Sequence, residues 1–389
     1  MARGGITAEN GRRLGAAAAG IATFLNMYAT QAILPELARG LHASVAACGL
    51  TVTAPLLAVA FVAPFVGSAS DRMGRKRLIV GAGAALTLPT LAAAAAPSLA
   101  FLLACRFAQG LLLPFVFIVT VAYIGDEVEG QAAIRLSGTY ISGTILGGFS
   151  GRLLTGLMTA AAGWRAAFLL LAAVTAIAMA VVAWTLPPER HFRPAGGLRQ
   201  AGRDFNAHLT NPRLTATYAV GFAVLFSRVA TFTFIGFRLA GPPFGLGPAQ
   251  LGLIFVVYLV GSAITPPAMS MAVRLGRRTT LAVAYAAVLL GLGLTLLPNL
   301  WAVVAGLAFA SSGCFIAQAL ATGFVGTAAR RARSTAVGLY VTFYYIGGAA
   351  GGWAPAWVWA AAGWPGCAAL IALVQTAMMA IAFIAWRAG

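Results

Sequence analysis

The sequence predicts an all-helical membrane protein, twelve spans arranged as two pseudo-symmetric six-helix bundles. Three observations predict it. Of 389 residues, 60% are hydrophobic and 9% charged, against roughly 25% charged residues in a soluble domain. Apolar runs of the length a bilayer requires, about 20 residues each, recur twelve times between short polar breaks. Blocks of the first half also reappear in the second at a nearly constant offset.

Taken in order, the first six runs fall at 14–35, 47–69, 78–96, 99–123, 133–159 and 166–186. Span one follows Arg12 and Arg13 but continues through Asn26, Tyr28 and Gln31 to Pro35, so it reads as an uncleaved helix, not a twin-arginine export signal. Span four carries Arg106 and Gln109, and span five carries Gly143, Gly147, Gly148, Gly151 and Arg152. Gly143, Gly147 and Gly151 recur every four residues, which puts them on one helix face and lets a neighbour approach closely.

The stretch 187–213 holds five arginines and the prolines Pro187, Pro188, Pro194 and Pro212, and reads as a cytoplasmic linker. It divides a bundle at 1–186 from one at 214–389, whose runs fall at 214–237, 249–271, 279–297, 300–325, 335–360 and 366–386. Span seven carries Arg228, span ten Gln318, and span eleven Phe343, Tyr344 and Tyr345.

The duplication is ordered. Arg72-Met73-Gly74-Arg75-Lys76 matches Arg274-Leu275-Gly276-Arg277-Arg278 at an offset of 202, and Pro97-Ser98-Leu99 matches Pro298-Asn299-Leu300 at 201. Gly138, Tyr140, Gly147, Gly148, Gly151, Gly163 and Trp164 match residues 200 later. Both copies have the same orientation because six is even. Such paired halves bind solute between them near the midplane and expose it alternately to either side.

The net charge of +18 would suggest nucleic acid in a soluble protein. Here twenty of the 26 basic residues fall in segments on the side of the termini, three opposite (Arg39, Arg165, Arg238) and three within spans. That bias places both termini in the cytoplasm and makes nucleic acid an unneeded partner. Cys48, Cys105, Cys314 and Cys367 lack paired spacing and read as packing residues. There is no HExxH, no phosphate-binding loop and no cysteine–histidine set, so neither an enzyme nor a cofactor or metal is expected. A sensor would need a tail to signal through, and only about a dozen residues precede span one.

Gly67-Ser-Ala-Ser-Asp71-Arg72-Met-Gly74-Arg75-Lys76, between spans two and three, resembles the major facilitator superfamily signature G-x-x-x-D-R-x-G-R-[RK] at every specified position. The second copy has Val273 where the acid stands. The resemblance implies a conformational latch in which Asp71 faces the positive end of span eleven, at Ser334-Thr335. Arg106-Phe-Ala-Gln109-Gly110 resembles the family's R-x-x-Q-G motif, whose arginine is tied to proton coupling. Span five resembles the antiporter motif, with Gly148 in place of its proline and Arg152 in place of its last glycine. The wording of spans five and six is similar to the YnfM-like branch of bacterial inner-membrane transporters, which is associated with efflux of sugars or drugs.

The resemblance implies a transporter of a small solute in a bacterial-type inner membrane, driven by protons, with a monomer sufficing. None of the eight acids lies mid-span, and His42, His191 and His208 lie in loops. Proton transfer would therefore fall to Glu36, at the outer end of span one. An uncoupled facilitator is the alternative. Arg106, Arg152 and Arg228 without mid-membrane acids form a positive cavity, suited to an anionic or polyhydroxylated solute. Asn26, Tyr28, Gln31, Gln318 and Tyr344 are expected to line it, and Trp164 and Trp364 to anchor at the membrane surface.

Overall fold

The computed structural model describes residues 7–189, 208–329 and 333–386. The first half comprises α1 (Ala8–Met27), α2 (Leu34–Gly40), α3 (Val45–Val62), α4 (Val66–Met73), α5 (Arg75–Ala94), α6 (Leu99–Glu127) and α7 (Gly130–Thr185). The second comprises α8 (Pro212–Ala240), α9 (Pro248–Ile254), α10 (Val257–Leu275), α11 (Arg277–Leu294), α12 (Leu300–Ala328), α13 (Arg333–Trp353) and α14 (Pro355–Ala385). No strand occurs among the described residues.

Nine of the described helices are long and apolar enough to cross a membrane, or ten when the bent pair 9–27 and 29–40 counts as one span. Twelve are reached when the 56-residue α7 is divided at Gly163 and α13 is counted. Gly163 (φ 86°, ψ 164°) and Gly363 (φ 56°, ψ −148°) turn the chain between adjacent spans in backbone regions that favour glycine.

The duplication extends to the helix starts. Ser98 accepts a hydrogen bond from the Phe101 N–H at 3.3 Å, and Asn299, its counterpart, accepts one from the Ala302 N–H at 3.1 Å. Gly74 (φ 84°) and Gly276 (φ 81°) occupy the same position before α5 and α11.

The glycine face of span five packs on α1. A methyl group at Gly143, Gly147 or Gly151 would come within 2.7–2.9 Å of the Cα atoms of Ala17, Ile21 and Leu25, one helical turn apart each time. Gly347 and Gly351 meet Phe222 and Phe226 of α8 in the same way. Backbone contact this close is the way helices associate where lipid removes the hydrophobic drive. Gly148 lies off this seam, and its carbonyl accepts a bond from Arg152.

Each half also carries a matched polar tie. Asn26 donates to Ala22 O and Thr175 Oγ1, while Gln375 donates to Ala223 O and Ser227 Oγ, one repeat later.

The halves meet along three seams. Residues 29–33 and α2 pack on α8, α3 on α13, and α9 on α7. Thr53 Oγ1 donates to Ala349 O at 2.9 Å, and a methyl group at Gly156 would come within 3.1 Å of the Gly252 Cα.

Candidate functional site

Span one is broken in the middle, and the break builds the site. α1 ends at Met27, Tyr28 leaves the helical region (φ −116°, ψ 16°), and Ala29–Ile33 form a tighter helical turn before α2. Carbonyls freed by such a break, deep in the membrane, need other donors. Arg106 supplies them: Nη1 donates to Asn26 O at 2.8 Å and Nη2 to Met27 O at 2.7 Å. Its Nε donates to Thr51 O at 3.0 Å, the carbonyl that Pro55 leaves without an N–H four residues on. Thr155 Oγ1 donates to Ala29 O at 2.9 Å from the other side.

Arg106 is therefore an internal brace. It is fully buried, and its remaining contact is Gln109, which donates in turn to Thr90. Thr90 donates to Asn26, so Arg106, Gln109, Thr90, Asn26 and Thr175 form one buried network inside the first half. Asn26 points into this network and not toward the other half.

Tyr28 and Gln31, displayed by the same break, do face the second half. Gln31 Oε1 accepts from Arg152 Nε at 2.8 Å, and Gln31 Nε2 donates to Thr233 Oγ1 of α8 at 3.3 Å. The Arg152 guanidinium lies 4.6 Å from the ring centres of Tyr28 and Phe255 and 4.8 Å from that of Tyr258. Two of these three rings come from the second half.

Arg228 forms the opposite wall. Nη1 donates to Gln318 Oε1 at 3.1 Å, and Nη2 to the Tyr344 hydroxyl, which itself donates to Gln318 Oε1 at 3.0 Å. The Phe315 ring centre lies 5.0 Å from its guanidinium, and the Tyr28 hydroxyl lies beside it. Arg152 and Arg228, one from each half, thus converge on Tyr28. Their hydrogen-bond partners here are neutral. Arg152 is buried, whereas Arg228 keeps partial exposure.

Phe343 stacks on Tyr218 at 5.6 Å, away from this group, and Tyr345 contacts Phe117 of the first half at 5.8 Å. Sequence reading missed Phe255, Tyr258, Phe315 and Thr233. The only signal was that an aromatic pair, Phe255 and Tyr258, flanks the interruption between α9 and α10.

Glu36 lies at the far end of span one, ion-paired with Arg39, and the structure does not bond it to Arg106 or Arg152. The signature segment, expected as a loop, is helical through Met73 and turns at Gly74. Gly67 has open space around it, whereas a methyl group at Gly74 would strike Glu189. Arg75 ion-pairs with Asp71 at 3.1 Å and with Asp126 at 3.0 Å, and Glu189 accepts from the Lys76 N–H at 3.2 Å. Arg72 lies exposed on the last turn of α4. The expected contact partner at Ser334 lies outside the described side chains, as does His191 and most of the linker.

Trp164 and Trp364 depart from the surface-anchor expectation. Both are buried; Trp364 Nε1 donates to Thr295 Oγ1 at 3.1 Å, and Trp164 packs edge-on against Phe168 at 6.3 Å. The turns at Gly163 and Gly363 carry these rings back under the neighbouring helix ends.

The family model described as Major Facilitator Superfamily matches residues 16–241. The chain is 34% identical over 363 residues to the inner membrane transport protein YnfM of Escherichia coli K12, covering 92% of this chain and 86% of that protein. It is 32% identical over 375 residues to the uncharacterized MFS-type transporter YybF of Bacillus subtilis 168, covering 96% and 91%. Among solved structures, the nucleoside transporter NupG superposes with a TM-score of 0.77 at 14% identity, covering 97% of this chain and all of that one. A bacterial homologue of the human lysosomal transporter Spinster, in its inward-facing and unoccupied conformation, superposes at 0.73 with 17% identity, covering 98% and 96%.

Proposed function

The chain belongs to the major facilitator superfamily of membrane transporters, and on that premise we propose that it moves a small anionic or polyhydroxylated solute between its two halves by alternating access. One observation carries this reading. Arg152 and Arg228, contributed by opposite halves, meet around Tyr28 among neutral hydrogen-bond partners. A guanidinium costs about 2.5 to 3.5 kcal/mol to place mid-membrane on insertion scales, and a solute anion offsets that cost for both. Arg228, Tyr344 and Gln318 present two cationic or hydroxyl donors and an amide, the set that holds a carboxylate, a phosphate or sugar hydroxyls.

In this assignment, residues 1–186 and 214–389 are the two rocking units, 187–213 links them in the cytoplasm, and one copy of the chain suffices. The seams through Gln31–Thr233 and Gly156–Gly252 lie in the halves of their spans remote from the termini, which supports a conformation closed on the outer side. Asp71, Arg72, Gly74, Arg75 and Lys76 act as the conformational latch on the opposite side.

Two energetic readings follow. Proton-coupled efflux places the proton on Glu36, and uncoupled or exchange transport needs no protein carboxylate in the path. The ion pair of Glu36 with Arg39, away from both central arginines, favours the second.

The test is flux in proteoliposomes carrying an internal pH dye, challenged with organic anions, sugars and cationic dyes. Wild type is compared with Arg228→Gln and Glu36→Gln. Anion or sugar flux lost in Arg228→Gln, with no proton movement in wild type, is the expected outcome. Proton flux abolished by Glu36→Gln would establish the coupled reading, and transport confined to cationic dyes would overturn the solute class.

A further inference from the structure

Arg152 and Arg228 do not have the same surroundings, and the difference assigns them different work. Arg228 is partly exposed, bonds Gln318 and Tyr344 of its own half, and reaches the first half only at the Tyr28 hydroxyl. Arg152 is buried and its contacts straddle the halves: Gln31 and Tyr28 on its own side, Phe255 and Tyr258 on the other.

We propose that Arg152 is the bolt of the outer gate, held closed by the rings of Phe255 and Tyr258, and that these rings and a solute anion compete for its guanidinium. The position supports this. Arg152 lies one helical turn before Gly156, where α7 approaches the Gly252 backbone of α9 too closely for any side chain. Glycine contact brings the helices together by dispersion, and the cation adds an attraction that depends on where the facing rings stand. A guanidinium over three rings in a desolvated place is worth about 2 kcal/mol or more and demands that the rings stay put. The two-residue interruption between α9 and α10, at Phe255 and Val256, is what turns Phe255 and Tyr258 toward the same point.

The repeat makes the asymmetry plain. The counterpart of Arg152 in span eleven is Gly352, which packs directly on Thr53 and Gly49 of α3. One seam is therefore closed by neutral packing and the Thr53–Ala349 hydrogen bond, and the other by a charge that can be taken away. Opening the second exposes Arg152 to the chamber, so the site gains a cation as the gate opens. By reciprocity, an anion bound there favours the open gate by the same factor.

This inference rests on alternating access and not on which solute is carried, so its test uses solute-free protein. Spin labels at Ala161→Cys, beside the Gly163 turn of α7, and Ala249→Cys, on the first turn of α9, report the gate by their separation. The four native cysteines are buried and resist labelling. Wild type is expected to give one short distance. Arg152→Gln and Tyr258→Leu are expected to raise the population at the long distance relative to that at the short one by roughly thirtyfold, which corresponds to about 2 kcal/mol. Tyr258→Phe, which keeps the ring, is expected to retain the short distance and serves as the check on folding.

An unchanged distance in Arg152→Gln overturns the proposal, whatever Tyr258→Leu does, because ring packing without the cation would then hold the gate. Retained anion binding in that variant leaves the Arg228 assignment standing, and loss of anion binding with an unchanged distance makes Arg152 a plain ligand.

Discussion

The Nε of Arg106 donates to the carbonyl oxygen of Thr51 at 3.0 Å, and Thr51 is the residue that Pro55 deprives of its helical partner. Together with the bonds to Asn26 and Met27, this makes one side chain the repair of two helix defects. Arg106→Gln is expected to destabilise the protein by about 3 kcal/mol or more, because buried carbonyls are left without donors. Pro55→Ala restores an N–H to Thr51 and should make the loss smaller by about 1 kcal/mol in a double-mutant cycle followed by thermal unfolding in detergent. Strict additivity of the two substitutions would mean that the Thr51 bond is not what Arg106 contributes.

Glycines on one helix should differ sharply. A methyl group at Gly147 meets the Ile21 backbone, whereas one at Gly138 meets nothing within 4 Å. Gly147→Ala should cost about 1–3 kcal/mol by forcing α1 and α7 apart. Gly138→Ala should stabilise by up to about 1 kcal/mol through helix propensity. Melting temperatures of the two variants measured side by side decide the matter.

Gly74 and Gly276 share a left-handed backbone, but only Gly74 has Glu189 against it. Gly276→Ala should cost about 1–2 kcal/mol of backbone strain. Gly74→Ala should cost more, since it also displaces the carboxylate that accepts from the Lys76 N–H. If Glu189→Ala removes the difference between the two, the Glu189 side chain is its cause; if the two alanine variants melt together in the wild-type background, this account fails.

Solute recognition should follow the Arg228 group. A charged hydrogen bond is worth about 1.5–3 kcal/mol, so Arg228→Gln should weaken anion binding roughly tenfold to a hundredfold, and Tyr344→Phe by less than tenfold. Binding measured by intrinsic fluorescence across carboxylates, phosphate esters and polyols would show it. Equal affinity in wild type and Arg228→Gln for every anion tested would remove Arg228 from the site.

The architecture was legible before any coordinates, because membrane insertion acts on local composition. The apolar runs and the offset of 200–202 residues survive as helices, turns and matched ties such as Asn26–Thr175 and Ser227–Gln375. The stripe of Gly143, Gly147 and Gly151 named its own function, since only close backbone contact requires glycine every fourth residue. Arg152 and Arg228 were visible as costly residues that needed a reason, but not as a pair.

The sequence by itself determined the class of protein, the number of apolar runs, their duplication and the rarity of mid-span charge. Tertiary structure alone decided what each buried arginine touches. A guanidinium on a long flexible stem reaches whichever carbonyl, ring or amide the neighbouring helices bring within range, and those helices lie tens to hundreds of residues away along the chain. Hence Arg106 turned inward to mend span one, Arg228 joined Tyr344 and Gln318, and Arg152 crossed to Phe255 and Tyr258. Spacing along a helix records which face a residue occupies, and only packing says what stands opposite.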